Sequence, residues 1–135
     1  MSNMRPLNSK KYNISKHRFW ELYHWCLQYN EWKDELKYKT DTVGAMRITD
    51  MPVHHDNGDP TQQLAMRRAM LEDNCRMIEQ AAQEADPNIC QYILKAVTDE
   101  SATYWYLKTV MGIPCGRTMY YDRRKRFYWL LSQKR

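Results

Sequence analysis

The sequence predicts an all-α protein, a small helical bundle ending in a helix-turn-helix. Three observations carry that expectation. Apolar residues recur at helical spacing through most of the chain, strand-like alternation is nearly absent, and two Asp-Pro pairs stand where helices would begin. A helical chain of 135 residues can bury a sufficient core without disulfide or metal staples.

Ile14 and Ser15 precede KHRFWELYHWCLQY, with Ser15 as the expected N-cap. Phe19, Leu22, Tyr23, Cys26 and Leu27 fall on one face and form the expected buried stripe. Asn30 is the expected break, after which NEWKDELKYK forms a short helix with Trp32 and Leu36 one turn apart. Residues 40–58, TDTVGAMRITDMPVHHDNG, keep no period and contain Gly44, Pro52 and Gly58, so they read as a linker. The expected organisation is an N-terminal helical segment over 1–39, the linker over 40–58, and a helical domain over 59–135.

DPTQQ (59–63) and DPNIC (86–90) each place Asp at an N-cap and Pro at the first helical position, where its missing N–H costs nothing. Gln62 adds an approximate capping box. From Pro60 to about Ala85, Leu64, Leu71, Ile78 and Ala85 repeat every seven residues, with Cys75 and Ala82 beside them. From Pro87 to about Thr98, the core-facing set is Ile89, Tyr92, Ile93, Ala96 and Val97.

ESATYWYLKTVMG then reads as a short helix capped by Ser101, with Tyr104, Leu107, Val110 and Met111 on one side. Gly112 can take the left-handed conformation that closes a helix, and Pro114 forbids continuation. Cys115 and Gly116 lead into a last helix running to about Ser132. A helix, a short glycine-containing turn and a longer helix make the helix-turn-helix layout. Lys108 departs from it, standing where that motif usually has a small residue.

The net charge of +5 is concentrated at the ends. Residues 1–18 hold five bases and no acid, and residues 117–135 hold seven bases and one acid, Asp122, which leaves the middle acidic. Basic ends around an acidic body suit a polyanion held on one surface. On a helical wheel of the last helix, Tyr120, Phe127 and Leu131 face inward, flanked by Met119, Arg123 and Leu130. Thr118, Tyr121, Asp122, Lys125 and Trp129 point away, with Arg117, Arg124 and Tyr128 along one border and Arg126 along the other. Such a cationic, aromatic surface suits phosphates and base edges, with Arg117, Thr118 and Tyr121 at the base-reading end. Two other readings stay open. The segment could be a basic closing helix whose aromatics pack on the N-terminal segment, or a face that binds protein.

The ending GIPCGRTMYYDRRKRFYWLLSQ resembles the C-terminal helix-turn-helix of phage and prophage transcriptional regulators of the RinA/ArpU type, whose layout is sigma-factor-like. The likeness extends through DPTQQLAMRRAMLEDNCRMIEQAAQEAD to cover residues 59–132, and more weakly to KYNISKHRFWELYHWCLQYNEW. It implies a cytoplasmic, sequence-specific regulator of phage genes, late genes among the candidates. Double-stranded DNA is the implied partner, with host RNA polymerase or a second copy of the chain as further candidates. By this resemblance, Arg117, Thr118 and Tyr121 read bases, while Arg123, Arg124, Lys125 and Arg126 contact the backbone. The family's usual Ser-Thr at the start of the reading helix stands here as Gly116-Arg117-Thr118.

Other chemistry finds little support. No cofactor, metal or enzymatic activity is expected, because no phosphate-cradling glycine loop or Ser-His-Asp set is evident. His54 and His55 are adjacent in a loop, where side chains rarely converge on one ion, and Asp59 serves as a cap. The four cysteines lack a CxxC spacing and read as reduced thiols, with Cys26, Cys75 and Cys90 expected to be buried. Cys115, near a helix start and basic residues, is the one whose thiol pKa could be lowered. No apolar run is long enough for a membrane span, and MSNMRPLNSKKYN lacks a signal-peptide core. Two further functions remain open: a small terminase subunit, or a protein that docks on RNA polymerase through Trp20, Trp25 and Trp32.

Overall fold

The computed structural model describes residues 11–39 and 59–135, all helices and connections with no strand among them. The predicted linker and its two histidines lie outside the described residues. The helices are α1 (Lys16–Cys26), α2 (Tyr29–Asp34, running on in a π turn over Glu35–Lys39), α3 (Pro60–Ala85), α4 (Cys90–Thr98), α5 (Tyr104–Tyr106, running on in a π turn over Leu107–Met111) and α6 (Arg117–Lys134). The chain divides into two compact units, one of residues 29–76 and one of residues 1–28 with 77–135. α1 belongs to the same unit as the C-terminal helices, and α2 to the same unit as residues 60–76 of α3.

Among the described residues of the smaller unit the buried side chains are Tyr29, Trp32, Leu71 and Cys75. Arg67 grips Glu35 with both ends of its guanidinium, one of them Nη2 donating to Oε1 at 3.0 Å. α3 starts as the sequence predicts. The Thr61 N–H donates to Asp59 Oδ1 at 3.0 Å, so the aspartate satisfies a backbone donor that the helix cannot.

In the larger unit Ser15 caps α1 by accepting from the Arg18 N–H at 3.1 Å. Ile14 and Phe19, at the positions of a hydrophobic staple, are both buried. Phe19, Leu22, Tyr23 and Cys26 form the buried side of α1, and the helix breaks at Leu27–Gln28, before Asn30. The second Asp-Pro pair behaves differently from the first. Asp86 Oδ1 accepts from the Asn88 N–H at 2.9 Å, and the chain makes a turn before α4 begins at Cys90. Ile89, Ile93 and Val97 then line the buried side of α4, while Tyr92 and Ala96 are half-exposed.

Thr103, rather than Ser101, caps α5: its hydroxyl accepts from the Tyr106 N–H at 3.3 Å. Ser101 instead bonds Asp99, through its N–H at 3.0 Å and its hydroxyl at 2.7 Å. Gly112 is left-handed, with φ 73° and ψ 41°, as the sequence predicts. The N–H groups of Gly112 and Ile113 both return to the Leu107 carbonyl, the latter at 2.9 Å, and so close the helix end. The π turn admits an extra residue per turn and rotates Val110 outward, to 62% exposure. Leu107 and Ile113 stay buried on either side of this corner.

Candidate nucleic-acid interface

α6 is anchored along one side by Tyr120, Arg124, Phe127, Tyr128 and Leu131, all buried. This spacing of four, three, one and three residues is one helical stripe. It is rotated from the expected one, towards Arg124 and Tyr128 and away from Met119. Met119 is 38% exposed, whereas Tyr128 is fully buried and meets the Phe19 ring of α1 edge-on at 5.1 Å. The physical reason is amphipathy: a tyrosine ring and an arginine stem bury as readily as a methionine, which hydrophobic spacing alone does not register.

The seven basic residues of this end therefore have unlike surroundings. Arg124 is only 6% exposed, with its guanidinium 5.9 Å from the Tyr121 ring and 5.5 Å from the Tyr128 ring. It is turned into the fold and does not stand at the border of the outward face. Arg123 donates from Nε to Asp86 Oδ2 at 3.0 Å and from Nη1 to Asp122. These contacts, Asp86 first, push its guanidinium pKa up. Lys134 bonds Glu84 at 2.9 Å, and Arg135 lies 3.7 Å from Glu21 and 4.5 Å from the centre of the Trp25 ring. Those four charges belong largely to the fold.

Arg117, Thr118 and Arg126 are exposed, Tyr121 is 40% exposed and Lys125 is half-buried. Among the described residues neither Lys125 nor Arg126 makes an ion pair. Arg117 lies at the start of α6 with its guanidinium 5.4 Å from the centre of the Tyr104 ring. Tyr104 is itself fixed at both ends. Its hydroxyl donates to the Cys115 carbonyl at 2.8 Å, and its ring sits 5.5 Å from that of Tyr120. This support for Arg117 is not visible in the sequence, where spacing places Tyr104 only on one side of α5 with Leu107, Val110 and Met111. Trp105 is 68% exposed, as one of three consecutive aromatics on a short helix must be, since they cannot all face inward.

The remaining sequence-derived candidates resolve simply. Cys115 has a raised, not a lowered, thiol pKa: partial burial is the main cause, and the Asp86 carboxylate adds to it. Cys26 and Cys75 are buried, and Cys90 is half-buried with its thiol donating to Gln83 at 3.3 Å. Trp32 is buried, and Trp20 and Trp25 are half-buried among neighbouring rings and side chains. Among the described residues no helix is long and apolar enough to cross a membrane.

No family model, curated protein or solved structure matches this chain.

Proposed function

We propose that the chain is a sequence-specific DNA-binding regulator in which α5, the turn over 112–116 and α6 act as a helix-turn-helix. The observation that carries this reading is the division of α6. Five buried side chains hold one side of it to the core, while Arg117, Thr118, Tyr121 and Arg126 are exposed and Lys125 is half-buried. The N-terminal end of α6 supplies the base contacts through Arg117, Thr118 and Tyr121. Lys125 and Arg126 supply salt-sensitive contacts to phosphates. Arg123 and Arg124 position the helix and leave the phosphate role to their neighbours. The resemblance of residues 59–132 to RinA/ArpU-type regulators supports phage genes as the regulated set.

Selection of bound duplexes from a random pool, carried out at two salt concentrations, tests this. A common sequence is expected to emerge, and its affinity to fall steeply with salt. A pool that returns no enriched sequence at either concentration rejects the reading.

One second reading has its own observation. The exposed Trp105 and Val110 on α5 suit protein contact, with RNA polymerase as the partner. Retention of purified bacterial polymerase by the protein, lost in Trp105→Ala, together with no enriched duplex, favours that alternative.

A further inference from the structure

We infer that Arg117 reads a guanine and that Tyr104, without touching DNA, is the positioning residue that aims it. This rests on the DNA-binding reading and names both the base and the device that selects it. A guanidinium recognises guanine through two parallel hydrogen bonds to O6 and N7, so its plane must be held as well as its position. An exposed arginine on a long stem has many rotamers and loses them on binding. Here the Tyr104 ring lies 5.4 Å from the Arg117 guanidinium carbon, close enough for a cation–π contact that restrains the side chain before any ligand arrives.

The ring is a fixed platform because two independent features hold it. Its hydroxyl donates to the Cys115 carbonyl at 2.8 Å, across the turn that joins α5 to α6. Its ring lies 5.5 Å, tilted by 40°, from that of Tyr120, a buried member of the α6 stripe. The next anchor along α5 is Leu107, fully buried, whose carbonyl receives the Gly112 and Ile113 N–H groups. One tyrosine thus ties α5, the turn and the first base-reading side chain into one unit. Thr118 and Tyr121, on the same end of α6, lack such a support among the residues of α5. Base discrimination is therefore expected to be sharpest at the position read by Arg117.

The test uses the full chain and the duplex recovered from the random pool, with single base pairs replaced in turn. In the wild type, one G·C pair is expected to dominate the discrimination. Arg117→Ala should lower discrimination at that pair by about five- to a hundredfold and leave other positions unchanged. Tyr104→Leu should lower discrimination at the same pair by about two- to fivefold. Tyr104→Phe, which keeps the ring, should stay within about twofold of wild type. Relaxation of the Arg117 side-chain Nε–H in the unbound protein is a second readout, expected to show an ordered guanidinium in wild type and Tyr104→Phe and a mobile one in Tyr104→Leu.

If duplexes are enriched but Arg117→Ala alters no single position, the guanine assignment is overturned while DNA binding stands. If Arg117→Ala acts as expected and Tyr104→Leu changes neither discrimination nor guanidinium mobility, the platform is overturned. If no duplex is enriched, the DNA-binding reading fails and takes the guanine assignment with it. Should Tyr104→Leu not fold, Arg117→Lys decides. It keeps the charge but not the fork, and discrimination at the G·C pair undiminished in that variant overturns bidentate reading.

Discussion

Arg123 and Arg124 face one environment, Lys125 and Arg126 another, although the four stand in an unbroken basic run. Arg123 is claimed by Asp86 and Asp122, and Arg124 lies against two tyrosine rings with only 6% of its surface exposed. Lys125 is half-buried and Arg126 exposed, and among the described residues neither forms an ion pair. Successive residues of a helix are about 100° apart, so any run of four encircles it. A basic run is therefore not a basic surface. Which of its charges can reach a ligand depends on what the rest of the fold places beside each one.

The largest effect is expected from the inward pair. Arg124→Ala should destabilise the protein by about 2–4 kcal/mol, because it removes a long buried stem and leaves space between Tyr121 and Tyr128. Arg124→Met refills that space without the charge and should recover much of the loss, since a buried cation is costly to desolvate. Urea unfolding of both variants measures this. A loss below about 0.5 kcal/mol for Arg124→Ala, the range of an ordinary surface position, would erase the distinction between the two pairs.

Alkali should attack the same inward region. Burial is the leading cause that pushes the Tyr120 phenol up to about 12, the Tyr128 phenol well above its ordinary value and the Tyr23 phenol upward. An unfolded tyrosine ionises near pH 10. A folded-state pKa above the unfolded one means that the contribution to stability is whole below pH 10 and declines as pH rises through the folded value. For Tyr120 the loss between pH 10 and about 12 is of order 3 kcal/mol. Denaturation midpoints at stepped pH, read beside tyrosinate absorbance, check the sign. Stability that stays level across that window would contradict it.

The two Asp-Pro junctions separate local from distant causes. Asp59 is exposed and only caps α3, so Asp59→Ala should cost about 1 kcal/mol or less. Asp86 is 7% exposed and serves twice, accepting from Asn88 with one oxygen and from Arg123 with the other. Asp86→Ala should cost about 1–3 kcal/mol. Asp86→Asn, which can keep the turn but loses the charge, should fall between. Equal costs at Asp59 and Asp86 would mean that the pairing with Arg123 contributes nothing.

What the sequence made legible follows the same line. The Ser15 cap of α1, the Asp59 cap of α3 and the left-handed Gly112 were all readable, because each depends on residues within one turn of the chain. The side of α4 carrying Ile89, Ile93 and Val97 was readable from its spacing. The late start of α4 was not, and neither was the pairing of Asp86 with Arg123, 37 residues away. The rotation of α6 was hidden likewise: hydrophobic spacing favours Met119 and Leu130, while the fold buries Arg124 and Tyr128 against tyrosine and phenylalanine rings. Of the seven proposed contact residues, Arg123 is paired with Asp86 and Arg124 is buried, and neither fact is visible in the spacing of α6.

The outward pair should give the smallest effect on stability and a plain one on binding. Lys125→Ala combined with Arg126→Ala should leave unfolding free energy within about 0.5 kcal/mol of wild type, since neither side chain forms an ion pair among the described residues. If both face phosphates in the complex, the slope of log affinity against log salt should flatten by about two, one counterion for each charge removed. Base preference should persist, because these contacts carry charge and no sequence information. A slope unchanged by the double substitution would show that Lys125 and Arg126, though outside the buried stripe, do not meet the duplex. The phosphate contacts would then have to come from basic residues outside α6, such as Lys11 before α1 and Lys16 at its start, both exposed.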